Sequence, residues 1–161
     1  MKVLTILVFA LSLAVGASSA HAFEKGSTTL SLQGGIGQAY GGTYVIVGAR
    51  GGYFFLPGVQ AGLGVQHWFG GPPRITQISP YAEAALTVLP AIAPYIGAFY
   101  RYTLIREPSD DHSSIGLRGG IYFLGSSRVN YYAGVVNEWQ LGPCARDCSW
   151  MYPEFGIVLR F

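Results

Sequence analysis

The sequence predicts an all-β fold: an eight-stranded antiparallel up-and-down transmembrane β-barrel, preceded by a cleaved signal peptide. Three observations lead there. Apolar and polar residues alternate with a period of two over eight segments of about 10 residues, the length of a tilted membrane strand. Charges within those segments sit opposite the large apolar residues. The connections alternate between tight turns and longer, more charged loops, as an even-numbered barrel requires.

Residues 1–22 carry a short positive n-region at Lys2, an apolar run over 3–15 and an Ala20-His21-Ala22 site. That is the pattern of a secretory signal. Cleavage after Ala22 would leave 23–161 as a single domain. The alternative is an uncleaved anchor, but the apolar run is short for a span of about 20 residues.

The expected strands are 27–38, 44–54, 59–68, 76–88, 94–104, 114–123, 128–139 and 150–161. Successive side chains of a strand point to opposite faces. In the first strand, Gly34-Gly35-Ile36-Gly37 matches no phosphate-binding fingerprint and precedes no helix; its glycines suit bending or close packing. In the second, Val45, Val47, Ala49 and Tyr53 oppose Gly48, Arg50 and Gly52. In the third, Val59, Ala61, Leu63 and Val65 oppose Gln60, Gly62, Gly64 and Gln66. The fourth sets Ala82, Ala84, Leu86 and Val88 against Glu83 and Thr87, and the fifth sets Ile96, Ala98, Tyr100, Tyr102 and Leu104 against Arg101. Leu117, Ile121 and Phe123 oppose Arg118 in the sixth; Val129, Tyr131, Ala133, Val135 and Trp139 oppose Asn130, Gly134 and Glu138 in the seventh. The last alternates Phe155, Ile157, Leu159 and Phe161 with Glu154, Gly156, Val158 and Arg160. Ile46 and Val136 fall on the polar face as imperfections.

Residues 84–100 carry no charge and compete as a membrane helix. Pro90 and Pro94 oppose that reading, because each removes a helix hydrogen bond and clashes with the preceding turn. In a hairpin they fall at the turn and at a strand start, where proline is tolerated. Tight connections are expected at 55–58, 89–93 and 124–127, and longer ones at 69–75, 105–113 and 140–149; the glycine-rich 39–43 is a short exception on the longer side.

Charged residues make up 11% of the chain, against roughly 25% in soluble domains. The net charge of +2 gives no argument for a nucleic-acid partner. Cys144 and Cys148 are expected to pair in an oxidising compartment, with two free thiols as the alternative. A metal site needs about four ligands, and no histidine stands near these cysteines. No metal or cofactor is expected.

Apolar outside and polar inside suits lipid, where an arginine or lysine facing the bilayer midplane costs roughly 2–4 kcal/mol. The inward set is then Arg50, Glu83, Arg101, Arg118, Glu138, Glu154 and Arg160. An eight-stranded interior has room only for side chains, and buried charges must pair. These residues are expected to form an Arg–Glu network filling the lumen. A catalytic carboxylate pair there would lack access for water and substrate, and a continuous ion path belongs to larger barrels. Aromatic residues near the strand ends suggest two interfacial girdles. One comprises Tyr40, Tyr44, Trp68, Tyr102, Trp139, Trp150 and Tyr152; the other comprises Phe54, Phe55, Tyr122, Phe123 and Phe161.

With its terminal strand ending in Phe161, the chain resembles the small OmpA/OmpX-type outer-membrane barrels over residues 23–161. The resemblance implies a bacterial outer-membrane location, periplasmic termini, and surrounding membrane lipid and lipopolysaccharide. It also implies a monomer whose terminal Phe161 is read by the barrel-assembly machinery. It implies fold and location more than activity. The leading expectation is a non-enzymatic protein serving envelope structure or presenting its loops. The loop of Cys144 and Cys148, with Arg146, Asp147 and Trp150 nearby, is the candidate contact, and a plain stability role for the disulfide is the alternative. A narrow transport channel for ions or small apolar molecules is the second reading and a lipid A-modifying enzyme the third. His112-Ser113-Ser114 is superficially similar to the His-x-Ser of lipid A deacylases. However, Ile115 stands where that family has Asn, and 124–128 holds no acid. The triplet reads as loop beside Asp110 and Asp111, and His67, next to Trp68, reads as interfacial. A soluble lipocalin-like barrel would need an apolar interior, opposite to this facing.

Overall fold

A computed structural model describes residues 23–39, 42–86, 89, 91–106, 111–125, 128–142 and 148–161. They form eight strands: β1 (Thr28–Ala39), β2 (Gly42–Leu56), β3 (Val59–Phe69), β4 (Arg74–Ala85), β5 (Ile92–Arg106), β6 (His112–Leu124), β7 (Val129–Leu141) and β8 (Ser149–Arg160). The strands close into a barrel in sequence order, each antiparallel to its neighbours. The predicted fold class, all-β and eight-stranded, is the observed one. The segment 84–100 is a hairpin: β4 stops at Ala85, and Pro94 lies near the start of β5, its carbonyl accepting the Leu86 amide at 2.9 Å. The fourth strand starts and ends earlier than expected, and Thr87, Val88 and Pro90 lie outside the described residues. So do residues 1–22, Tyr40, Asp110, Cys144, Arg146 and Asp147.

Alternation produces the barrel wall. In β5, alternate residues from Ala93 to Ile105 are buried and those between them exposed. The exposed rows are apolar, including Ile36, Val45, Leu63, Ile96, Leu117, Tyr131 and Phe155. Away from the strand ends, the inward rows hold the charges. Ile46 and Val136, out of pattern in the sequence, are buried inside.

The interior has three levels. At the end shared by the longer loops, Tyr44, Ile46, Trp68 and Ile75 form an apolar cluster. At the end holding both termini, a second cluster includes Phe23, Phe54, Tyr95, Tyr122 and Tyr132. Phe23 lies across that mouth, its ring 5.5 Å from Phe54 and 5.3 Å from Tyr122, and its carbonyl accepts the Gly58 amide at 2.8 Å. Gly58 itself turns the chain with φ of 76°, a conformation that favours glycine. Between the two clusters lies the polar layer described below.

Inward glycines receive the rings. A Cβ on Gly116 would stand 2.2 Å from the Phe99 ring, one on Gly134 2.3 Å from the Tyr95 hydroxyl, and one on Gly156 2.6 Å from the Tyr132 ring. Each aromatic therefore needs a missing side chain opposite it.

The seam between β1 and β8 is the shortest ladder, pairing Thr29↔Arg160 through Gly34↔Phe155. It is clamped at the termini by Thr28 and Phe161, which exchange backbone hydrogen bonds at 3.1 and 2.9 Å. Beyond Gly34 and Phe155 the two strands have no paired positions, although β1 stays paired with β2 as far as Ala39↔Gly42.

Gly116→Ala is expected to destabilise the barrel by about 1–3 kcal/mol through overpacking against Phe99. Phe99→Leu in the same chain should recover part of that loss. Urea unfolding of the refolded protein measures both, and an unchanged Gly116→Ala midpoint would contradict the ring-in-gap packing.

Candidate functional site

The strand parity places Arg50, Glu83, Arg101, Arg118, Glu138 and Glu154 inside, all buried. They come from six strands, β2, β4, β5, β6, β7 and β8, so the cluster exists only when the barrel is closed. Among the described residues they form three Arg–Glu pairs. Arg101 meets Glu138 directly; Arg118 Nη1 lies 3.6 Å from Glu154 and Arg50 Nη1 4.0 Å from Glu83. Arg160 lies on the same inward row but at its termini end, half-buried, away from these pairs.

Arg101 and Glu138 are 1% and 0% exposed, and every strong partner they need is within reach. Arg101 donates through Nη1 to Glu138 and to the Tyr152 hydroxyl at 2.7 Å, and through Nε to Ser79 Oγ at 3.0 Å. Glu138 also accepts from the Ser114 hydroxyl, and from Tyr152 at 2.9 Å. The Phe99 ring lies under the guanidinium at 4.5 Å. Charge-assisted bonds of this kind are stronger than neutral ones.

The other two pairs are longer, and neutral groups supply the hydrogen bonds to their carboxylates. Glu83 accepts from Gln60 at 2.9 Å and from the Tyr122 hydroxyl, and Gln60 accepts in turn from Thr29 at 3.0 Å. Glu154 accepts from the Tyr95 hydroxyl at 3.0 Å. Arg50 lies over Tyr132 at 4.9 Å and Tyr81 at 5.6 Å; Arg118 lies over Phe99 at 5.0 Å and Tyr81 at 5.7 Å. Tyr81 is thus shared by two guanidiniums, a cation–π arrangement that strengthens where water is excluded.

Part of the expected aromatic girdle points inward, as these rings do. Tyr44 and Trp68 do not face outward; they are buried in the cluster at the loop end, where Tyr44 donates to the Pro72 carbonyl at 3.2 Å and Trp68 to Gln77 at 3.1 Å. Trp150 is on the inward row of β8, opposite Glu138. Tyr152, Phe54 and Tyr122 are inward as well. Parity was the available signal: Tyr44 shares it with Arg50, Trp68 with Gln60 and Trp150 with Glu154. Phe54 and Phe55, as neighbours in one strand, cannot both face out. Tyr102 and Trp139 lie on the outward rows, exposed, and Phe123 lies on an outward row, half-buried. Phe161 is 75% exposed just past β8.

His112 and Ser114 are not in a loop but open strand β6, both on the inward row. Ser114 is 0% exposed, and its hydroxyl donates to Glu138. His67 lies on β3 against Thr76 Oγ1 at 3.0 Å, its ring 4.5 Å from Phe69. Among the described residues no three His, Cys, Asp or Glu converge to hold a metal.

No family model and no curated protein matches the chain. Solved structures do. The chain is similar to the N-terminal β-barrel domain of Pseudomonas aeruginosa OprF, with a TM-score of 0.67 and 17% identity, covering 85% of this chain and 98% of that one. The fold is that of a small outer-membrane β-barrel. Similarity extends to Pseudomonas aeruginosa OprG, with a TM-score of 0.58 and 12% identity over 88% of this chain and 98% of that one. It extends also to Neisserial surface protein A, with a TM-score of 0.57 and 12% identity over 83% and 93%. At these identities the shared property of the barrels is architecture.

Breaking the central pair tests its role. Glu138→Ala leaves Arg101 buried without its counter-ion and is expected to cost about 3–5 kcal/mol. Arg101→Met with Glu138→Met should cost less than the sum of the single changes. A double-mutant cycle in urea measures the coupling; additive losses would show that the two side chains do not depend on each other.

Proposed function

We propose that the protein is a non-enzymatic integral outer-membrane barrel whose lumen is filled by its own side chains, serving envelope structure or presenting its loops at the cell surface. The observation that carries this reading is the sealed polar layer: six buried charges from six strands engage one another, capped by apolar clusters at both mouths. The membrane part of the reading is supported by the apolar outward rows and by the likeness to outer-membrane barrels. A closed strand ladder satisfies backbone groups without water, the condition for crossing lipid with strands. The non-enzymatic part is supported by Ser114 and Glu138 being spent inside the network.

In this orientation the termini face the periplasm, and the loop end, including the start of β4 and the end of β5, faces outward. Purified protein in planar bilayers should show no stable large-conductance steps, and lipid A from cells with and without it should have the same acyl pattern by mass spectrometry. Large stable steps would refute the filled lumen. An altered acyl pattern would refute the non-enzymatic reading.

A further inference from the structure

Two arginines meet at the rim of the wall. Arg74 opens β4, Arg106 ends β5, and the register sets them directly opposite each other. Both are exposed on the outward rows, because their neighbours Ile75 and Ile105 are the buried, inward ones. Like charges directly opposite on antiparallel strands are destabilising. Among the described residues neither arginine has an ion pair or side-chain hydrogen bond. The carboxylate of Asp111 is engaged instead by the Tyr102 hydroxyl at 3.1 Å and the Ile105 amide at 2.9 Å.

The same two strands carry a groove further from the rim. The β4–β5 register passes from Ile78↔Tyr102 to Tyr81↔Phe99, so Ser79 and Pro80 have no ladder partner in β5. Beside this break the outer surface is hollowed into an apolar groove of about 690 Å³, with Ala82 and Ala98 opposite each other and Pro80, Tyr100, Leu117 and Trp139 around them. Arg74 and Pro80 are separated by about 20 Å along the strand. At a tilt near 45° that is about 14 Å of depth, roughly one leaflet of a hydrocarbon core about 30 Å thick. A cationic pair at the rim and an apolar trough one leaflet deeper match a lipid with an anionic head and an acyl tail.

We propose that Arg74, Arg106 and the groove at Pro80 form a binding site for a phosphorylated, acylated lipid of the outer leaflet. The phosphate lies between the two guanidiniums and one acyl chain lies in the groove. This assignment rests on the outer-membrane reading above. Arginine forks suit phosphate oxygens, and the phosphate removes the repulsion that the β4–β5 register creates. The small side chains of Ala82 and Ala98 supply the depth.

Native mass spectrometry of the full chain in detergent, titrated with bis-phosphorylated lipid A and with its dephosphorylated form, tests the site. Wild type should retain the phosphorylated lipid preferentially. Arg74→Ala with Arg106→Ala should lower that retention by roughly ten- to thirtyfold, at about a factor of five per arginine, while leaving the dephosphorylated lipid unaffected. Ala98→Phe should weaken retention of both by filling the groove. Heat-modifiable gel mobility reports folding of each variant. Equal retention of the two lipids by wild type, or by the double variant and wild type, would overturn the site, and that comparison in wild type needs no variant to fold. Full competition by millimolar inorganic phosphate would overturn the lipid assignment. Silent bilayers with equal lipid retention would leave the filled-barrel function standing and reject only this site.

Discussion

Arg101 and Glu138 meet where water is excluded, and the architecture around them answers to that fact. A buried ion that loses its partner costs several kcal/mol. Each member is therefore over-provided: Ser79, Ser114 and Tyr152 complete the hydrogen bonding and Phe99 covers the guanidinium. Those groups come from β4, β5, β6 and β8, with Glu138 from β7. No sub-assembly of two or three strands satisfies the pair. Closure of the barrel and satisfaction of this pair are one event, which favours a single register over slipped alternatives.

The same logic explains the glycines. A narrow barrel that holds three arginines and several tyrosines has no room for a full complement of inward side chains. Gly116, Gly134 and Gly156 give up theirs to Phe99, Tyr95 and Tyr132. The tyrosines then place hydroxyls against carboxylates and rings against guanidiniums. Rings at both mouths, from Phe23 at one end to Trp68 at the other, keep the polar layer from solvent. The interior is dense because rings and gaps are matched strand against strand.

Much of this was legible in the sequence. Period-two alternation gave eight strands, and the charges fell on one face at Arg50, Glu83, Arg101, Arg118, Glu138 and Glu154. Pro90 and Pro94 separated a hairpin from a helix. The aromatic residues were harder to read, because an aromatic near a strand end suits both a membrane interface and a barrel mouth. Only parity separates these, and parity sends Tyr44, Trp68 and Trp150 inward with the arginines and glutamates. The pairing of particular arginines with particular glutamates was not legible at all. It depends on the stagger between strands that are distant in sequence, such as Arg118 and Glu154, and no local pattern encodes that. The inward glycines read as bends when taken singly; their role as sockets appears only beside the opposing ring.

With the inward charges buried, the wall is the surface the barrel offers to its surroundings. The β1–β8 seam is paired only along its termini half, and the β4–β5 ladder is broken at Ser79 and Pro80. The two places differ in what lies behind them. Behind Pro80 stands the most fully satisfied part of the lumen, with Arg101 bonded to Ser79 at the break itself. That bond ties β4 to β5 from inside, where the backbone cannot, so the proline hollows the outer surface without opening a path to the interior. Proline in the middle of a barrel strand forfeits a ladder hydrogen bond. Here the wall tolerates it because a buried arginine bridges the same two strands, and the concavity it leaves faces lipid.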